Sequence, residues 1–167
     1  MRIYLVRHSE AVERLPSLPD VARYLSARGR VSFREMAHRF RDAGGLPTRI
    51  FTSPLVRAVQ TAEILSETVR YEGEIVLDPR LAPGFGVAQM ASVLDDCPTE
   101  REIAFVGHEP DLGVILTRLL SLPQGYAMRK GAIAALDLPK AGDPLRADLV
   151  WLLTGDRRIE DPALLMT

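Results

Sequence analysis

A three-layer α/β/α sandwich with a mainly parallel central sheet is the fold this sequence predicts, and three observations lead to it. Two short, continuous apolar runs, Ile3–Val6 and Ile103–Val106, have the make-up of strands buried on both faces. Segments of helical spacing alternate with strand-like ones along the chain. At 167 residues the chain fits one domain, 1–167, able to bury most of its apolar surface.

The elements follow in order. After the first strand, Glu13–Arg30 is irregular: Pro16 and Pro19 interrupt regular structure, and LSARG (Leu25–Gly29) reads as a turn into a helix. Ser32–Ala43 carries Phe33, Met36, Ala37 and Phe40 at helical spacing and is stopped by Gly44 and Gly45. Arg49–Thr52 is a short strand. It feeds a helix over Ser53–Leu65, with Ser53 as N-cap and Pro54 in the first turn. The apolar stripe of that helix, Leu55, Ala58, Val59, Ala62 and Leu65, points Arg57 away from the core and leaves Gln60 and Thr61 on the surface. Ile75–Leu77 is a strand, Asp78–Gly86 a loop and Val87–Leu94 a helix. Ile103–Val106 ends in Gly107 and His108, and Asp111 caps a helix to Leu120. Ala132–Leu138 and Leu149–Thr154 complete the sheet, joined by a turn containing Gly and Pro.

Composition narrows the function classes. With 47% hydrophobic and 26% charged residues the chain is an ordinary globular one. A net charge of −1 creates no overall field toward nucleic acid or membrane. No apolar run approaches the roughly 20 residues of a membrane span. The single cysteine, Cys97, excludes an internal disulfide and a cysteine-based zinc cage. Met1 runs straight into a strand-like segment, so a reducing cytoplasm is the expected compartment. Charge is uneven: Arg23–Arg41 holds six arginines against one acid, Glu35. That segment is either a solvated helix face or a docking surface for an acidic partner. Arginines outnumber lysines 19 to 2, so no lone arginine carries weight.

Ligands of open α/β sheets bind beyond the carboxyl ends of the strands. The first strand delivers Arg7 and His8 to that edge, the strand Arg49–Thr52 leads into the helix bearing Arg57, and the strand Ile103–Val106 delivers His108. A cation in a first helical turn opposes the helix dipole, at a cost of a few tenths to about 1 kcal/mol, and a bound anion reverses the sign. A lone strand-end histidine is commonly structural, and His38 is assigned to that class. The joint occurrence, in this order, is what points to phosphate chemistry.

In LVRHSEA, TSPLVRAVQTAEIL and FVGHEPDLG the sequence resembles the histidine phosphatase superfamily, with its phosphoglycerate mutase-like fold. LSARG and RKGAIAALDL (Arg129–Leu138) look most like the SixA-type phosphohistidine phosphatases. The resemblance implies a covalent mechanism. His8 attacks phosphorus in line and carries the phosphoryl group, Arg7, Arg57 and His108 bind its equatorial oxygens, and water releases phosphate. It implies no metal and no organic cofactor. It also implies a phosphorylated protein as substrate, while the balanced charge leaves no nucleic acid and no membrane expected as partner.

One departure bears on the substrate. Many small-molecule members supply a glutamate acid ahead of the helix that starts near Val87, and here Arg80–Met90 holds no carboxylate. The remaining proton-donor candidates are Glu109, which resembles the acid of another branch, Glu10 and Asp111. A phosphate ester needs a placed acid to expel an alkoxide. Phosphohistidine loses imidazole, whose unperturbed pKa is about 6.5. The expected activity is therefore a phosphohistidine phosphatase. The alternatives are a small-molecule phosphomonoester phosphatase and a non-catalytic phosphate- or phosphoprotein-binding module.

Overall fold

The computed structural model describes residues 1–139 and 146–166. Its sheet begins with β1 (Arg2–Arg7), β2 (Arg49–Thr52), β3 (Ile75–Leu77) and β4 (Glu102–Gly107). It is completed by β5 (Ile133–Asp137), β6 (Asp148–Thr154) and β7 (Arg157–Ile159). The strand order is β3-β2-β4-β1-β5-β6-β7. Pairing is parallel from β3 through β1, around the apolar runs, and antiparallel from β1 through β7. The turn expected between the last two long strands falls on residues 140–145, outside the described residues.

Strand alternation builds a core on each side of this sheet. Ile3 and Leu5 of β1, with Ile103 and Phe105 of β4, face α3 (Val87–Asp95) and α4 (Asp111–Leu119). Tyr4, Val6, Ala104 and Val106 face α1 (Ala27–Asp42) and α2 (Val56–Val69). Every residue of the two apolar runs is buried, which is why neither run alternates with polar residues. Each fully buried large aliphatic side chain contributes about 1.5–3 kcal/mol. Tyr4, Phe40 and Trp151 add an aromatic cluster with ring centroids 4.8–6.0 Å apart. The three layers are those the sequence predicts.

Several boundaries differ from the sequence reading, each for a local reason. α1 begins at Ala27 instead of Ser32, because Ser26 is its N-cap and accepts the Gly29 N–H at 3.0 Å. Gly29 is required there by close approach, since a Cβ would lie 2.1 Å from the Glu10 carbonyl oxygen. α2 begins at Val56, and Ser53 is not its cap. Asp111 does not cap α4 either: its Oδ2 accepts the backbone N–H groups of Gly84 and Phe85 at 2.7 and 3.2 Å. It ties the carboxylate-free loop to α4. β7 and the short 3₁₀ turns at Asp20–Ala22, Pro79–Leu81 and Pro162–Leu165 were not expected from the sequence. Among the described residues, no helix is long and apolar enough to cross a membrane.

Five of the six arginines of the basic segment have partners for their side chains among the described residues. Arg23 meets Asp20, Arg28 meets Glu10, Arg34 meets Glu67 and Arg41 meets Asp42, while Arg39 donates to the carbonyls of Gly155 and Arg157. His38, on the same helix, is exposed.

Candidate active site

Register places the two strand-end histidines together. β1 pairs with β4 so that Arg7 stands opposite Gly107, and the next residues leave the sheet side by side. The His8 and His108 ring centroids are 5.2 Å apart. β2 flanks β4 on the other side, with Thr52 opposite Val106, which brings Ser53 and the first turn of α2 to the same edge. Arg7, His8, Arg57 and His108 are thus gathered at one end of the parallel strands.

His8 is held in a defined tautomer. Its Nδ1 lies 2.7 Å from the Ser9 carbonyl, which can only accept, so Nδ1 carries the proton. Arg57 Nε–H, which can only donate, reaches His8 Nε2 at 3.3 Å. Both contacts assign the lone pair to Nε2. Burial, and after it the neighbouring His108, Arg57 and Arg7, push the imidazole down to about 3, against the hydrogen bond to Ser9. His8 is therefore neutral at physiological pH.

Arg57 is buried, with 6% of its surface exposed, and does not point away from the core. Its Nη1 donates to the Asp20 carbonyl at 2.8 Å and its Nη2 to Asp20 Oδ2 at 3.1 Å. Thr61 and Gln60 are likewise not surface residues in the sense expected. Thr61 is fully buried; it donates to the Arg57 carbonyl at 2.7 Å and accepts the Ser9 N–H at 3.2 Å. It thereby locks the residue after His8 to the helix that carries Arg57. Gln60 accepts the Leu25 N–H at 2.8 Å and anchors the chain entering α1. Spacing held one signal for Thr61: residues i and i+4 share a helix face, so a buried Arg57 implies a buried Thr61.

Ser53 does its work at His108. Its Oγ lies 2.7 Å from His108 Nε2 and accepts the Leu55 N–H at 3.3 Å. His108 Nδ1 and Arg7 Nε are both buried with no hydrogen-bond partner among the described residues. Arg7 Nη1 donates to the Met128 carbonyl, which fixes the guanidinium. Burial pushes His108 down to about 4, helped by Arg57. A buried arginine donor and a buried imidazole nitrogen, both without partners among the described residues and beside the neutral His8, suit an anion.

The carboxylates differ in environment. Glu10 accepts from Arg28 at 2.7 Å and from Ser26 at 3.0 Å, and these contacts, Arg28 first, hold it below its ordinary range. A carboxylate so held is a poor proton donor. Glu109 is half-buried, and burial pushes it up while Arg7 opposes the rise. Its Oε2 is buried without a partner among the described residues, and its Oε1 lies under Gly113, where a Cβ would come within 2.2 Å. No group of His, Cys, Asp or Glu among the described residues could hold a metal ion.

The two depressed histidines set a pH dependence of stability. In the unfolded chain they take up protons below about pH 6.5, whereas in the folded protein they do so only near 3 and 4. Between those limits the unfolded state binds more protons, so stability is full above about 6.5 and is lost as pH falls. Denaturant unfolding is expected to give a lower free energy at about pH 5 than at about pH 7, above the range where most carboxylates protonate. His108→Asn should flatten that descent. An unchanged slope would contradict a buried neutral pair.

Residues 3–92 match the histidine phosphatase superfamily (branch 1). An uncharacterised protein of Picosynechococcus sp. is 33% identical over 119 residues, 68% of this chain and 69% of its own length. The phosphohistidine phosphatase SixA of Escherichia coli is 24% identical over 145 residues, 86% of this chain and 89% of its own. The solved structure of the protein histidine phosphatase SixA complexed with tungstate superposes with a TM-score of 0.81 at 22% identity. That superposition covers 92% of this chain and 97% of the other, and it carries the phosphoglycerate mutase-like fold. With a matched segment that runs from β1 into α3 and includes His8 and Arg57, the chain belongs to the histidine phosphatase superfamily, and the protein is a phosphatase.

Proposed function

We propose that the protein is a phosphohistidine phosphatase that removes phosphate from a histidine of a partner protein through a covalent intermediate on His8. The observation that carries this reading is the state of His8: neutral, with its Nε2 lone pair facing Arg57, and with buried Arg7 Nε and His108 Nδ1 that have no partner among the described residues. Nε2 attacks phosphorus, the P–N bond of the substrate breaks, and its electron pair leaves with the departing ring nitrogen. Arg7, Arg57 and His108 take the equatorial oxygens, where negative charge gathers in the transition state. Planar guanidinium forks suit that task because they stay charged and bond oxygens in pairs. Water then attacks the phosphoryl group on Nε2 and returns His8 to its neutral form. Similarity to SixA supports the phosphohistidine substrate, and the lone Cys97 supports a reducing cytoplasm as its setting.

The test is kcat/KM over a panel of phosphohistidine proteins, phosphoserine and phosphotyrosine peptides and sugar phosphates. Preference for the P–N substrates is expected. Preference for an alkyl ester would favour the second reading, a small-molecule phosphomonoester phosphatase with Glu109 as acid, which the raised Glu109 carboxyl favours. Glu109→Gln separates the two. Loss of a general acid costs about 10²- to 10⁴-fold with an alkyl ester, and far less with phosphohistidine, whose leaving nitrogen water can protonate. Small, equal effects on both substrates would clear Glu109 of the role.

A further inference from the structure

Nε and Nη2 of an arginine lie on one edge of its planar fork, the edge that grips carboxylates and phosphates in pairs. In Arg57, Nε faces His8 Nε2 and Nη2 holds Asp20 Oδ2. A carboxylate oxygen therefore occupies the half of the fork that an oxygen of a phosphoryl group on Nε2 would use. Asp20 is not a loose side chain that can swing clear. Its Oδ1 is gripped by Arg23 at 2.9 Å, and Arg23 is itself braced by Nε and Nη2 bonds to the Val12 carbonyl. Its backbone carbonyl is bound to Arg57 Nη1. An arriving phosphoryl oxygen can take Nη2 from Oδ2, but the carboxylate stays beside it.

We propose that Asp20 selects the leaving group of the substrate, accepting the N–H of a departing imidazole and disfavouring phosphate esters that bring no such proton. The inference rests on the phosphohistidine reading above. A carboxylate and a phosphoryl group against one guanidinium repel unless a hydrogen-bond donor lies between them. Protonated on its second nitrogen, a form the Asp20 carboxylate favours, the ring of phosphohistidine carries that donor, and an ester oxygen carries none. As the His8 Nε2–P bond forms and the substrate P–N bond breaks, the bonding pair stays on the leaving nitrogen. The ring departs as neutral imidazole, with the bonding pair as the lone pair of the leaving nitrogen and the N–H of the other ring nitrogen held on Asp20. Asp20 does not supply the proton: Arg23 above all, then Arg57 and Arg14, hold its carboxyl below the ordinary range and keep it ionised. With 45% of its side chain exposed, it is accessible to a ring presented by another protein.

The experiment compares kcat/KM for a phosphohistidine peptide and for phenyl phosphate in the wild type, Asp20→Asn and Asp20→Ala, with vanadate inhibition in parallel. A hydrogen bond to a charged group is worth roughly tenfold or more. Both variants are expected to lose that much on phosphohistidine while gaining on the ester and binding vanadate more tightly, as the internal competitor is gone. Equal losses on both substrates with weaker vanadate binding would show that Asp20 only positions Arg57, and would overturn the selector. A wild-type preference for phosphohistidine that survives in both variants also overturns it, and leaves the proposed function standing. No preference in the wild type overturns the proposed function and the selector with it.

Discussion

Replacing His8 with alanine is expected to abolish phosphatase turnover while leaving the fold in place. A nucleophile whose loss ends the covalent route typically costs on the order of 10⁵-fold or more in kcat. The fold should tolerate the change because the His8 ring makes only two hydrogen bonds among the described residues, to the carbonyl of its own neighbour Ser9 and from Arg57 Nε, and stands at the end of β1 instead of within a core cluster. The main-chain bonds that place residue 8, from its N–H to the Gly107 carbonyl and from the Gly131 N–H to its own carbonyl, do not depend on the side chain. Circular dichroism and denaturant unfolding check the fold, and steady-state rates read the chemistry. A folded His8→Ala protein that kept activity within about tenfold of wild type would rule out His8 as nucleophile.

The second large effect is expected at Arg57. Its fork meets His8 through Nε and Asp20 through both terminal nitrogens, so charge alone does not describe its work. Removing one preorganised donor to transition-state charge costs about 10²- to 10³-fold in kcat, and Arg57→Ala is expected to lose at least that. Arg57→Lys should recover little, because an ammonium is a point charge without a paired edge. Loss of the contacts to Asp20 should also free the Asp20–Ala22 turn, seen as faster proteolysis of that segment. Recovery to within about threefold in Arg57→Lys would show that charge without fork geometry suffices.

What could be read from sequence was whatever lay in local composition. The runs Ile3–Val6 and Ile103–Val106 announce doubly buried strands, and a strand of known direction fixes the edge at which its last residues emerge. Arg7, His8 and His108 were therefore placeable before any tertiary contact was known. Residues whose partners come from elsewhere in the chain were not. Ser53 has the look of a helix cap, and only the approach of β4 shows that its hydroxyl is hydrogen-bonded to His108. Asp111 also looks like a cap, but the 84–85 loop reaches its carboxylate first. Asp20 lies in a proline-flanked irregular stretch 37 residues from Arg57, and no periodicity connects them. The direction of Arg57 was misread because a stripe of aliphatic residues was taken as the whole buried face. Thr61 and Arg57 extend that face with polar groups that satisfy one another. β7 reads RRI, an edge strand whose charged residues conceal its pairing with β6.

The most direct measurement is of the enzyme caught in mid-turnover. Wild-type protein mixed with a phosphohistidine substrate, quenched without acid and digested at alkaline pH, would be mapped by mass spectrometry for phosphate. The expected result is a transient phosphoryl group on the peptide containing His8, formed before free phosphate is released and absent from His8→Ala. Release of phosphate with His8 never modified, or with the label on another residue, would contradict a covalent intermediate on His8.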